Sequence, residues 1–247
     1  MNTITINDSE WKESGNIKLQ IKGQNNFIEV SERKVFKNHV LNDFPDVKQN
    51  GELIITVNGN CNKVVIGSIT IAGRLNIIIT GSHNSVMIGD NNFVKRNLDV
   101  VIRPGGPNIT VKNSIIKINT ENWFNGNVTL DVGESNTKVE IGSYCLFANR
   151  VSCSTSDNHT IFDRNSGLIL NKSGNVKISD HVWICTDALI LNNSRIPQDS
   201  VVAARSILTK CFDMPNVVLA GAPAKIIKKD INWCQNLFEN QDFVNFE

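Results

Sequence analysis

The chain has 247 residues, with 25 Lys plus Arg against 24 Asp plus Glu and a formal net charge of +1. With no basic block standing apart, that balance lacks the electrostatic footprint of a nucleic-acid or membrane-surface protein and points to a small or neutral-to-acidic partner. The length is ample for a buried core, no apolar run approaches what a membrane span requires, and the start MNTITINDSEWKESGN is polar, so a cytoplasmic protein is expected.

The front half carries a loose repeat. GQNNFIEV from Gly23, GNCNKVVIG from Gly59, GSHNSVMIG from Gly81 and GESNTKVEIG from Gly133 share a Gly, an Asn three residues on, and an alternating apolar stretch. Gly and Asn tolerate the left-handed backbone of a tight corner, and the alternation suits a half-buried strand. Irregular solenoid coils are therefore expected over residues 1–153.

A strict six-residue period sets in at Val139. In VEIGSYCLFANRVSC, Val139, Cys145 and Val151 hold the first place and Ile141, Phe147 and Cys153 the third. The register returns from Val176 as VKISDH, VWICTD, ALILNN, SRIPQD, SVVAAR and SILTKC. Its third places are Ile178, Ile184, Ile190, Ile196, Val202 and Leu208; its first places are Val176, Val182, Ala188, Ser194, Ser200 and Ser206. A helix would space apolar residues three and four apart, and an isolated hairpin would alternate without this register. Short strands joined by tight corners, three to a triangular coil, fit the period, each coil burying its apolar edge on the next. The expected fold is all-β, a parallel β-helix with regular coils over 176–211.

Between Cys153 and Val176 the beat is lost. The interruption, 154–175, contains SDNHTIFD, Ser156 to Asp163, and reads as an extruded loop around His159. Residues 212–247 hold a Gly-Ala-Pro turn and then a charged stretch with scattered aromatics, read as a short helical tail that caps the open coil. No linker rich in Pro, Gly or Ser divides the chain, so one continuous domain is expected. The six cysteines lack CxxC spacing and are read as buried thiols in a reducing compartment.

The hexads from Val176, with VWIC at Val182, SILTK at Ser206 and AGAPAK at Ala220, resemble the C-terminal part of the left-handed β-helix, or hexapeptide-repeat, acyltransferases. SDNHTIFD, followed twenty-four residues after its histidine by the Trp of HVWIC, looks most like their bacterial polysaccharide branch, including capsular polysialic acid O-acetyltransferases. The resemblance runs from about Val139 to Lys228. It implies a left-handed β-helix and a homotrimer, with acetyl-CoA in the groove between neighbouring subunits, no metal, and a polysaccharide or oligosaccharide acceptor. It also implies work at the inner face of a membrane beside capsule-assembly proteins. By the same resemblance His159 is the catalytic base, Trp183 borders the reacting centre, and Thr186, Ala204, Thr209, Lys210 and Lys225 line the CoA channel. The departures are Cys185 where the family usually has Gly, no second Gly near Ala203 and Arg205, and a segment from Lys210 to Gly221 one residue longer than in some relatives.

Acetyl transfer from a thioester to a sugar hydroxyl needs a base for the hydroxyl proton, and the ordinary pKa of histidine suits the task. Asp157, Asp163 or a backbone carbonyl would fix the tautomer of His159. The developing oxyanion needs a donor placed in advance, either the Trp183 indole N–H or a backbone N–H. Plainer readings stand beside these: His159 as an ordinary loop histidine, Trp183 as packing, Asp157 and Asp163 as a turn former and a solvated charge, and Lys210, Lys225 and Lys228 as surface charges. His39, His83 and His181 show no partner pattern. Among competing functions, a small-molecule or nucleotide-sugar O-acetyltransferase shares the chemistry. A non-enzymatic glycan-binding solenoid would have no reason for AGAPAK. A zinc carbonic anhydrase on this scaffold needs three histidines, and only His159 and His181 lie in the regular region.

Overall fold

The computed structural model describes residues 1–33, 50–106 and 109–235; His39 lies outside them. The chain winds past three sheets in turn. One coil runs from Val176–Ile178 on face one through Trp183–Ile184 on face two and Leu189–Ile190 on face three, then returns to face one at Ser194–Ile196. Val176 pairs in parallel with Ser194, a repeat of 18 residues or three hexads. The same stacking carries face one from Thr3–Ile6 upward, face three from Ile17–Lys22 to Ile207–Leu208, and face two from Ile69–Ile71 to Val201–Val202.

All the first- and third-place residues of the six hexads from Val176 are buried. The third place sits in a strand and points inward, where each Ile or Leu contributes about 1.5–3 kcal/mol. The first place lies inside a corner, where small side chains such as Ala188, Ser194, Ser200 and Ser206 fit. The sixth place of the first five hexads turns its corner through left-handed backbone, with φ of 53° at His181, 63° at Asp187, 59° at Asn193, 56° at Asp199 and 58° at Arg205.

In the front half the motif works differently from the expectation. The left-handed residue is not the motif's Asn but the one before it: Asn25, Cys61 and His83, at φ 56°, 56° and 60°. Asn26, Asn62 and Asn84 are instead buried and stacked as a ladder. The Asn62 N–H donates to Asn26 Oδ1 at 2.9 Å and the Asn84 N–H to Asn62 Oδ1 at 3.0 Å, while Asn62 Nδ2 donates to the Gly81 carbonyl at 2.8 Å. These side chains satisfy backbone groups that the corner would otherwise bury without partners. The corner at Gly133 is one residue longer, so Asn136 takes the left-handed position and Thr137 the buried one.

Both ends depart from the reading. A five-residue helix, Ser9–Glu13, brings Trp11 fully into the core at the N-terminal end, where Asp8 accepts the Trp11 N–H at 2.7 Å and holds Arg33 at 3.0 Å. The helical C-terminal tail is not found among the described residues. Ala224–Lys228 instead pairs antiparallel with Val218–Gly221 on the edge of face two. Pro223 in the Gly-Ala-Pro turn and the β-branched pair Ile226–Ile227 favour a hairpin over a helix. The remainder of that tail, 236–247, lies outside the described residues.

The reading of all six cysteines as buried is also corrected: Cys145 and Cys153 are buried, Cys185 half-buried, and Cys61, Cys211 and Cys234 exposed. Burial pushes the Cys145 and Cys153 thiols up to about 12 and Cys185 up to about 11. Native alkylation is therefore expected to label Cys61, Cys211 and Cys234, with Cys145 and Cys153 reacting only on unfolding. Peptide mapping that finds Cys153 modified in the folded protein contradicts this burial pattern.

Candidate active site

The extruded loop leaves the coil after Thr155 and returns at Gly174, whose N–H donates to the Thr155 carbonyl at 3.0 Å. This closed neck lets Val139 pair with Val176 as though nothing intervened. The loop folds on itself as a short hairpin, with the Leu170 N–H on the Ile161 carbonyl and the Asp163 N–H on the Leu168 carbonyl, both at 2.8 Å. Its tip exposes Ile161, Phe162, Leu168, Ile169 and Leu170.

The hairpin settles where the loop carboxylates go. Asp163 Oδ1 accepts the Asn165 N–H at 3.1 Å and both the N–H and Oγ of Ser166 at 2.7 Å, and the Ser166 hydrogen bonds hold its carboxyl below the usual carboxylate range. Asp157 takes the Asn171 Nδ2 at 2.9 Å and the Asn192 Nδ2 at 3.5 Å. Asn171 Nδ2 also donates to the His159 carbonyl at 2.8 Å, so it ties Asp157 to the histidine's backbone and not to its ring. Among the described residues no carboxylate hydrogen-bonds the His159 imidazole.

His159 lines a cavity of about 540 Å³ together with Glu134, Asn158 and Lys172. Glu134 Oε1 accepts the Ser156 hydroxyl at 2.5 Å, and Ser156 Oγ accepts the Asn158 N–H at 3.0 Å, which braces the loop's base. Asn158 is left-handed at φ 59° and is wedged between two glycines. A Cβ on Gly105 or Gly133 would fall 2.3 or 2.2 Å from its Oδ1. On the far side of Asn158 lies a second cavity of about 290 Å³, lined by Arg103, Pro104, Gly105, Asp131 and Asn158. Asp131 Oδ1 is buried there without a donor among the described residues, and burial pushes the carboxyl above its usual range against the opposing pull of Arg103.

That raised pKa has a stability consequence. The folded state holds the Asp131 proton more tightly than the unfolded chain, so its contribution favours folding below the ordinary carboxylate range and is lost as pH rises through the raised value. Asp131→Asn is therefore expected to raise Tm at pH 7, with the gain shrinking toward pH 4 in a thermal melt series. A lower Tm at pH 7 contradicts it. Glu134, Asn158, Arg103 and Asp131 escape motif reading, though one signal was available: Arg103-Pro104-Gly105-Gly106 interrupts the coil just as SDNHTIFD does.

Trp183 lies on the same coil as the loop but at a different corner. It stands on face two between Leu146 and Val201, 36% exposed, whereas the loop leaves the corner between faces three and one. Its ring is 6.0 Å from Trp233, which stacks on His181 at 4.4 Å and 10° and donates Nε1–H to the His181 carbonyl at 2.9 Å. His181 Nδ1 in turn meets Asp199 Oδ1 at 2.9 Å, so this histidine does have partners, which its sequence neighbourhood does not reveal.

The remaining candidates divide between two corners. Thr186 and Ala204 occupy the corner after face two on successive coils, with the Arg205 N–H on the Thr186 carbonyl at 2.9 Å; Lys225 pairs with Ala220 on the edge of the same face. The corner is cationic: Arg150 grips Asp187 at 2.5 and 2.8 Å, and Arg205, 85% exposed, stands 3.7 Å from the same carboxylate. Thr209 and Lys210 lie at the loop's corner, with Lys210 Nζ 5.3 Å from the Phe212 ring centroid.

No protein-family model matches the chain. The polysialic acid O-acetyltransferase of Neisseria meningitidis is 28% identical over 196 residues, 72% of this chain and 88% of that protein. The polysialic acid O-acetyltransferase of Escherichia coli O1:K1 / APEC is 35% identical over 98 residues, 39% of this chain, so the match spans less than a third (31%) of that relative. The solved structure of the polySia-specific acetyltransferase NeuO superposes with a TM-score of 0.69 at 25% identity, covering 96% of this chain and 89% of that one.

Proposed function

We infer, because this chain belongs to the left-handed β-helix, hexapeptide-repeat acyltransferases and lies close to their polysialic acid O-acetyltransferases, that it acetylates hydroxyls of a surface polysaccharide, with a sialic-acid-containing capsule as the favoured acceptor. The observation that carries this reading is the extruded loop, which takes His159 off a regular wall and sets it in a cleft large enough for a sugar.

Acetyl-CoA, when bound, supplies an acetyl group already activated as a thioester. His159 takes the proton from the attacking hydroxyl and releases it again at the leaving group. Glu134, the carboxylate that shares its cavity, is the group we assign to orient the imidazole, through the oxygen that does not accept the Ser156 hydroxyl. Trp183 presents a large exposed ring to border the reacting centre. Thr186 and Ala204, small residues at the corner with the exposed Arg205, and Lys225 on the edge of the same face offer chemistry that fits the phosphates of acetyl-CoA. The half-buried Cys185, its thiol pushed up to about 11, stays protonated at neutral pH and is a poor acyl carrier.

His159 and Trp183 lie at different corners, and so do the two groups of CoA candidates. A second copy that brings Trp183 to the first copy's His159 would complete the site and cover the apolar loop tip, which supports the homotrimer with sites between subunits. The test is thiol release from acetyl-CoA against a panel of capsular oligosaccharides and free sugars. Release driven by one glycan supports the reading. No release with any acceptor, together with no shift in Tm on adding acetyl-CoA, overturns it.

A further inference from the structure

We propose that the cavity holding Arg103 and Asp131 is an acceptor subsite for an acidic sugar, in which Arg103 faces the carboxylate and Asp131 accepts from a ring or side-chain hydroxyl; the inference rests on the acetyl-transfer reading of His159.

Three observations converge on it. The first is position: the two cavities share Gly105 and Asn158, and Asn158 is the residue before His159. A glycan chain lying across both would place one residue at the base and its neighbour, or the far side of the same ring, at Arg103. The second is the buried Asp131 Oδ1, for which the described residues provide no donor. A carboxylate oxygen withdrawn from water costs free energy unless a donor reaches it, and a hydroxyl entering the cavity is such a donor. The third is Arg103, exposed at the mouth of the same cavity and forming no ion pair among the described residues. Its guanidinium is close enough to Asp131 to oppose the rise in its pKa, yet it does not close on it as a salt bridge.

The two charges together select the ligand class. A neutral sugar would satisfy Asp131 and leave Arg103 unused. A carboxylate without hydroxyls would satisfy Arg103 and bring no donor to Asp131. A polyhydroxylated carboxylate meets both, through a planar, two-pronged contact on one side and a hydroxyl donor on the other. The frame is also rigid: Asn158 packs between Gly105 and Gly133 so tightly that neither can carry a Cβ without displacing it. The two glycines thereby leave room for the Asn158 side chain between the subsite and His159.

The test uses the full-length protein with a sialic acid trimer and its carboxyl-reduced counterpart. Calorimetric binding and thiol release are measured for the wild type and Arg103→Gln, an exposed substitution that leaves the core alone. Arg103→Gln is expected to weaken binding of the acidic trimer roughly 10- to 100-fold, to raise its KM in step, and to leave kcat and binding of the reduced trimer within about 2-fold. Equal binding of the acidic trimer by both proteins overturns the subsite, as does failure of the wild type to bind it. Arg103-dependent binding without thiol release from any acceptor keeps the subsite and removes the acetyltransferase reading. Thiol release that prefers a neutral glycan and ignores Arg103→Gln does the reverse.

Discussion

Replacing His159 with alanine is expected to reduce acetyl transfer roughly 10²–10⁴-fold, with the Tm of the folded protein unchanged. The ring is exposed and bonds no carboxylate among the described residues, so its removal leaves no buried group without a partner. Among the described residues its hydrogen bond is the one Asn171 makes to its backbone carbonyl, which alanine keeps. Loss of rate without loss of stability separates a chemical role from a structural one. Asp163→Ala offers the contrast: it removes three hydrogen bonds that form the loop's turn and should act through loop position, with a smaller fall in rate and faster proteolysis at the tip. A fall of less than about 5-fold for His159→Ala, well short of a general-base effect, would place the base elsewhere.

The second large effect concerns the scaffold. Gly59→Ala is expected to destabilise the protein by about 2–5 kcal/mol, combining overpacking with backbone strain, or to prevent folding. Gly59 has φ 144°, and a Cβ there would lie 1.8 Å from the Gly81 carbonyl oxygen on the next coil. That oxygen is backbone in a stacked sheet, so neither partner can move aside without opening the ladder that Asn62 closes by donating to the same carbonyl. Urea denaturation of Gly59→Ala beside Gly15→Ala makes the comparison, because Gly15 also has positive φ, 74°, but nothing within 4 Å. The two should differ by the steric clash and by the greater strain of φ 144° over φ 74°; equal midpoints would show that coil spacing does not require glycine at Gly59.

The regular coils were legible because each hexad place has one environment. The third place is always interior, so Ile178, Ile184 and Ile190 announce themselves, and the beat fails only where the chain leaves the coil at the His159 loop. The corner chemistry was less legible because both the left-handed tip and the buried ladder position accept Asn; GQNN and GESNT look alike but place their Asn residues differently. Cysteine misleads in the same way, since a small polarisable side chain suits the interior at Cys153 and the outer tip at Cys61. The cleft was least legible: Arg103, Asp131, Glu134 and Asn158 are brought together by coil stacking, and no local pattern links them. Motif reading singled out His159 within the loop, but the loop's own hydrogen bonds engage Asp157 and Asp163 away from its ring.

The decisive measurement is complementation between two inactive chains, His159→Ala and Trp183→Ala, carrying different tags and co-expressed so that mixed oligomers can be purified through both. A site completed by His159 of one copy and Trp183 of another predicts that glycan-dependent thiol release returns in the mixed oligomer, although each variant alone lacks it. If mixed oligomers form, the wild type is active and the mixture stays inactive, the two residues do not meet across a subunit boundary and the shared-site mechanism is wrong.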